Sequence, residues 1–252
     1  MIEKELKKKR INSKTVIIEP TSGNTGVGLA LVCATYSLKF IAVMPSSMSI
    51  ERQKLIKAYG GEVVLTDPSL GMNGSVNKAI ELSKEYKNSF IPFQFENKNN
   101  PITHYNTTAR EIINDIKKID YFVAGIGTGG TISGIGKYLK EINPITKITG
   151  VEPYSSPLIT KGVSGKHLIQ GIGANFIPKT LDKNILDKVM TIKDEEAYLW
   201  ARNIAKHEGF LVGISSGAAL CASIKIAKKE KNKTIVTLLP DTGERYLSTD
   251  LY

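Results

Sequence analysis

Three segments of the sequence run from a short β-branched apolar stretch, through a turn of glycine and hydroxyl residues, into an apolar helical pattern. They are Thr21-Ser22-Gly23-Asn24-Thr25-Gly26, Gly127-Thr128-Gly129-Gly130-Thr131 and Gly213-Ile214-Ser215-Ser216-Gly217. A turn of this kind is the β-to-α joint of a parallel βαβ unit, so its repetition directs the chain to the α/β class. Each joint also presents backbone N–H groups and the positive end of a helix dipole, which hold an anion without Lys or Arg. One such turn is common in α/β proteins. Three point to an organised site for a ligand with several anionic groups, as in a cofactor enzyme.

The rest of the chain follows the same alternation. Strands are predicted at Thr15–Ile18, Phe40–Met44, Glu62–Thr66, Ser89–Phe93, Tyr121–Ile126, Lys147–Val151, Lys188–Ile192 and Thr234–Leu239. Helical patterns fall at Ser49–Tyr59, Ser75–Tyr86, Ile102–Ile116, Thr131–Ile142, Glu195–His207 and Ser216–Lys229. This spacing predicts parallel sheet with helices on its faces. Eight strands also suit a TIM barrel, whose phosphate site follows its last strands. Here the strongest loop follows the fifth strand, and Glu152 to Asp187 shows no convincing helix. The expectation is therefore open sheets in two lobes, residues 1–98 and 99–252, divided near Lys98-Asn99-Asn100-Pro101.

A chain of 252 residues with 41% hydrophobic and 23% charged residues is an ordinary globular composition. Much of the net charge of +10 lies in Lys7-Lys8-Lys9-Arg10 and Lys228-Lys229-Glu230-Lys231-Asn232-Lys233. Neither run interleaves aromatics, so a solvated surface or attraction of small anions is expected, not nucleic-acid binding. Cys33 and Cys221, each in an apolar helical stretch, read as buried reduced thiols of a cytoplasmic protein. His104, His167 and His207 lack metal-ligand spacing, and no apolar run is long enough to span a membrane.

Each turn has competing uses. Gly125-x-Gly127-x-x-Gly130 follows a buried-looking strand, and Glu152 lies about 20 residues on, as a dinucleotide fingerprint requires. NAD binding is thus a rival reading, and a bare βα turn another. Two hydroxyls among the glycines at 127–131 suit a terminal phosphate. No Lys-Ser/Thr pair follows, so the Walker pattern is absent. Thr21, Ser22 and Thr25 make a cradle that suits a carboxylate, and Asn24 could orient a ring substituent. Capping by Ser22 or Asn24 is the plain alternative, as it is for Ser215 and Ser216.

Taken together these segments, with Met44–Arg52, Gln170-Gly171-Ile172-Gly173-Ala174 and Pro240-Asp241-Thr242-Gly243-Glu244-Arg245-Tyr246-Leu247-Ser248, resemble the cysteine synthase (O-acetylserine sulfhydrylase) family from about Thr15 to Tyr252. The resemblance implies a two-lobed fold-type II (tryptophan synthase β-like) α/β enzyme with open, twisted, mostly parallel sheets and pyridoxal 5′-phosphate. It implies phosphate binding by Gly127, Thr128, Gly129, Gly130 and Thr131, with Asn24 at the ring hydroxyl and Ser215 at the pyridine nitrogen. Thr21, Ser22, Gly23, Asn24, Thr25 and Gln94 would hold the substrate carboxylate, and Gly171 would line the entrance. The implied reaction converts O-acetyl-L-serine and sulfide to L-cysteine and acetate. A homodimer is implied, as is docking of the serine acetyltransferase C-terminal tail.

The family's Asn-x-x-x-Ser-x-Lys-Asp-Arg motif, whose lysine forms the Schiff base, does not occur in these residues. Lys4, Lys7, Lys8 and Lys9 lie in a solvated pattern and are poor substitutes. The catalytic residue is therefore unassigned, and the expectation is a truncated chain of impaired synthase activity. A lysine-less binding or regulatory protein is the non-enzyme alternative.

Overall fold

Apolar runs without polar alternation, such as Val16-Ile17-Ile18 and Phe40-Ile41-Ala42-Val43-Met44, form strands buried on both faces, as parallel sheets require. The computed structural model describes residues 1–21 and 23–252. They form two compact units, Met1–Asn97 and Lys98–Tyr252.

The first unit contains α1 (Ile2–Lys7), β1 (Val16–Pro20), α2 (Asn24–Thr35), β2 (Phe40–Pro45), α3 (Ile50–Ala58), β3 (Glu62–Thr66), α4 (Gly71–Glu85) and β4 (Ser89–Phe90). Its strands are parallel in the order β3-β2-β1-β4. Period-two alternation sorts the core. Ile17, Phe40, Ala42 and Met44 pack with α1, α2 and α3, while Val16, Ile18, Ile41 and Val43 pack with Ala79 of α4.

The second unit contains α5 (Asn99–Asn106), α6 (Thr108–Asp115), β5 (Tyr121–Gly125), α7 (Gly130–Ile142), β6 (Lys147–Pro153), α8 (Leu158–Lys161), β7 (Lys188–Ile192), α9 (Asp194–Glu208), α10 (Ile214–Ala227) and β8 (Ile235–Thr237). The parallel order is β7-β6-β5-β8. Phe122, Ala124 and Ile148 face α6 and α7. Val123 and Val151 face α9 and α10.

Two open four-stranded sheets replace the barrel alternative. Both sheets share one topology: successive strands add to one side, and the last strand adds to the other side of the first. The order thus reverses between β1 and β4 and between β5 and β8. Ligands of open α/β sheets bind beyond the carboxyl ends of strands at such a reversal.

Three local expectations are corrected. The helix predicted over Ile102–Ile116 is two helices meeting at Thr107, where φ −118° and ψ −77° leave helical geometry. The strand predicted over Ser89–Phe93 stops at Phe90, since Pro92 has no N–H and Phe93 turns to φ +52°. The stretch from Glu152 to Asp187 does hold a short helix, α8. No helix among the described residues is long and apolar enough to cross a membrane.

The placement of α10 depends on a backbone approach to α9. A Cβ on Gly217 would lie 2.0 Å from the Ala197 carbonyl oxygen and 2.8 Å from the Ala201 nitrogen. Both obstacles are main chain, so the helix must move. Gly217→Ala is expected to cost about 2 kcal/mol in urea denaturation. A change below about 0.5 kcal/mol, the scale of a surface substitution, would contradict this packing.

Candidate functional site

In the first unit the turn after β1 is organised by Thr21. Its buried hydroxyl oxygen accepts the N–H groups of Gly23 (3.0 Å) and Gly26 (3.1 Å). The described capping of α2 is therefore done by Thr21, where the sequence suggested Ser22 or Asn24. Ser22 lies outside the described residues. The Thr25 hydroxyl donates to Gln94 Oε1 at 2.6 Å, and Gln94 Nε2 donates to the Pro20 carbonyl at 3.0 Å. Thr25 opens α2 after β1 and Gln94 follows β4, so the two meet where the strand order reverses.

Beneath them sits a residue the sequence reading passed over. Glu19 is fully buried, and its two carboxyl oxygens accept the backbone N–H groups of Phe93 and Gln94, each at 2.8 Å. Burial pushes its pKa up to about 8, against the pull of those two bonds. A Glu inside an otherwise apolar strand was the available signal.

In the second unit the turn after β5 enters α7 through Gly129, which adopts a left-handed conformation (φ +78°). The Thr128 hydroxyl oxygen accepts from Gly130 N–H (3.2 Å) and from Asn100 Nδ2 (3.0 Å). With both acceptor positions filled, the role left to this hydroxyl towards a ligand is that of a donor, which suits an anion. The Thr180 hydroxyl holds the Thr128 carbonyl at 2.5 Å. Thr131 lies 3.3 Å from His104 Nε2, and burial lowers the His104 pKa, which favours the neutral ring. Asn100, His104 and Thr180 were not found from sequence, because nothing local ties α5 or the 178–182 turn to the glycines.

The third turn reaches the second through Gly171. A Cβ on Gly127 would stand 2.3 Å from the Gly171 carbonyl oxygen, and one on Gly171 would stand 3.6 Å from Ser215 Oγ. Gly127, Gly171 and Ser215 are thus neighbours at the starts of α7 and α10. Ser215 is buried, and the adjacent Ser216 Oγ is buried without a hydrogen-bond partner. His167 Nε2 pairs with the Gly173 carbonyl at 3.0 Å, steadying the 171–173 turn. Tyr246 donates to Asp241 Oδ2 at 2.8 Å, behind Gly213.

Glu152, the acid of the dinucleotide pattern, is fully engaged. Its oxygens accept from Ile159 N (2.8 Å), Thr160 N (3.1 Å) and Thr160 Oγ1 (2.5 Å), at the start of α8. It is a helix cap and not a ribose ligand. The described residues hold no cluster of metal-ligating side chains. No described lysine is buried, so none offers a desolvated amine. Burial raises the Cys33 and Cys221 thiols to about 11, which makes them poor nucleophiles.

Comparison with known proteins agrees with this geometry. The model of the family described as "Pyridoxal-phosphate dependent enzyme" matches residues 1–241. A cysteine synthase B of Campylobacter jejuni is 53% identical over 253 residues, covering 100% of this chain and 84% of the relative. A cysteine synthase of Staphylococcus aureus is 50% identical over 255 residues, covering 100% and 82%. Among solved structures, a hydrogen sulfide-producing enzyme of Fusobacterium nucleatum gives a TM-score of 0.96 at 48% identity, covering 98% of this chain and 84% of that one.

The raised Glu19 pKa has a definite sign in stability. The folded state holds this proton more tightly than the unfolded chain, whose value is near 4.5. Its contribution is fully present below the unfolded value and is lost as pH rises towards about 8. The neutral variant Glu19→Gln should therefore gain on the parent as pH rises from about 5 to about 8, measured as the difference in unfolding free energy. A difference independent of pH would contradict the assignment.

Proposed function

Because the chain belongs to the pyridoxal-phosphate dependent enzyme family, we propose that it carries out the cysteine synthase reaction, in which O-acetyl-L-serine and sulfide give L-cysteine and acetate. The observation that carries this reading is the Gly127–Gly171–Ser215 neighbourhood, which sets two helix starts side by side in the second unit. The cofactor's phosphate suits this cradle. The turn lacks side chains at 127, 129 and 130, stands at the N-terminus of α7, and carries the Thr128 hydroxyl, whose oxygen is held by Gly130 N–H and Asn100.

We assign the phosphate to Gly127, Thr128, Gly129, Gly130 and Thr131. The pyridine nitrogen is assigned to the Ser215 hydroxyl and the ring hydroxyl to Asn24. When bound, the cofactor supplies an electron sink for the substrate's α-carbon, which lets acetate leave the β-carbon. Ser215 tunes that sink. A neutral hydroxyl donates to the ring nitrogen without protonating it, where a carboxylic acid would favour the cation. The weaker sink suits loss of a good leaving group and disfavours transamination.

The substrate carboxylate is assigned to the turn Thr21, Ser22, Gly23, Asn24 and Thr25, together with Gln94, and Gly171 lines the entrance. The Pro20 carbonyl, which can only accept, fixes which end of the Gln94 amide points where, and Thr25 holds the other end, so the amide is oriented before substrate arrives. A cradle for an amino-acid carboxylate also suits a peptide C-terminus, and the tail of serine acetyltransferase is the proposed partner. The protein is proposed to work as a homodimer in the cytoplasm.

Titration with pyridoxal 5′-phosphate, followed by visible absorbance, tests this reading. The protein should prefer it to pyridoxal, and Thr128→Val should weaken the phosphate form roughly tenfold, the scale of one hydrogen bond to a charged group. Pyridoxal, lacking the phosphate, should bind parent and variant alike. O-acetyl-L-serine should then shift the spectrum of the loaded protein. Equal affinity for both forms, or no response to the amino acid, would overturn the assignment.

A further inference from the structure

Glu19 is a buried titratable group to which the function above gives no part. It lies one residue before the end of β1, at 0% exposure. Pairing with β4 covers only Val16 and Ile17, whereas Glu19 pairs with Ala42 of β2 on the other side. Its side chain reaches past the end of the β4 pairing to the turn that follows. That turn is tight: Phe93 sits at φ +52°, and the Glu96 and Asn97 N–H groups fold back to the Phe93 carbonyl at 2.8 and 2.9 Å. Consecutive N–H groups at 93 and 94 need two acceptors, and a carboxyl group offers two on one short arm. Each takes one N–H at 2.8 Å.

The consequence runs directly to Gln94. With its main chain held by Glu19, its amide spans Pro20 O (3.0 Å) and Thr25 Oγ1 (2.6 Å), both in or beside the turn after β1. We propose that Glu19 is a positioning residue for the amino-acid substrate, acting through Gln94 on the substrate's carboxylate. This rests on the assignment of Gln94 to that carboxylate. Desolvation opposes the charge on Glu19. The two bonds to the 93–94 main chain fix the point from which the Gln94 side chain departs. Gln94 is itself only 4% exposed, so a small displacement of its backbone carries the whole amide with it.

The test is a double-mutant cycle in the protein loaded with pyridoxal 5′-phosphate, with L-serine as the probe and its Kd read by calorimetry. Glu19→Met keeps the volume and removes both acceptors, and Gln94→Ala removes the amide. Each single variant should weaken L-serine about tenfold, and the double variant should be no weaker than Gln94→Ala alone. Affinity for the cofactor should stay within about twofold in Glu19→Met, which a general loss of structure would not allow. Glu19→Gln, retaining one acceptor oxygen, should fall between parent and Glu19→Met, and it carries the comparison if the latter does not fold. Amide exchange at Phe93 and Gln94 should quicken in both Glu19 variants. An unchanged Kd in the Glu19 variants, or effects that add in full, overturns the proposal while leaving Gln94's role intact. An unchanged Kd in Gln94→Ala overturns the carboxylate assignment, and this proposal with it.

Discussion

The constraint on which the rest depends is the reversal of strand order in each sheet. In β3-β2-β1-β4 and in β7-β6-β5-β8 the first strand of the unit is flanked on both sides. Connections leaving β1 and β5 must diverge from those leaving β4 and β8, which opens a crevice at the carboxyl ends. The glycine turns at 21–26 and 127–131 follow β1 and β5. The Gln94 turn follows β4, and the Asp241 turn follows β8. Sheet topology thus decides where chemistry can occur before any side chain is considered.

At each reversal the polar work is done by main chain and uncharged side-chain groups close to it. The turn at 127–131 contains no cation, and its polar groups are main-chain N–H and the hydroxyls of Thr128 and Thr131. Such donors are fixed in direction by the fold, whereas a lysine ammonium on a four-carbon stem must be ordered when the ligand binds. The close approach of Gly127 to the Gly171 carbonyl then excludes any side chain at position 127. In the first unit the same logic places a buried carboxyl group under Gln94, with both its oxygens on main chain.

The α/β class and the eight strands were legible because two-faced burial leaves apolar runs that turns punctuate sharply. Errors came where a local rule met a longer-range one. Ser89–Phe93 reads as a strand until Phe93 gives its N–H to Glu19, 74 positions away. Ile102–Ile116 reads as one helix, yet it breaks at Thr107, whose hydroxyl donates to the Thr103 carbonyl. The glycine turns were legible for the same reason they are useful: they lack side chains. Their supports were not. Asn100, His104 and Thr180 look like surface polar residues in sequence and become supports only when α5 and the 178–182 turn pack against α7. The link from Thr25 to Gln94, 69 residues apart, came from family resemblance and not from periodicity. Glu152 shows the opposite failure, since its spacing fitted a motif while its carboxylate caps α8.

The central claim is that the starts of α7 and α10 serve one phosphorylated cofactor. Phosphorus NMR of bound pyridoxal 5′-phosphate, recorded with amide shifts of the protein, tests it most directly. The account predicts a phosphorus resonance that does not titrate near neutral pH, with amide shifts concentrated at residues 127–131 and 215–217. A resonance that titrates like free phosphate, or amide shifts confined to other turns, would contradict it.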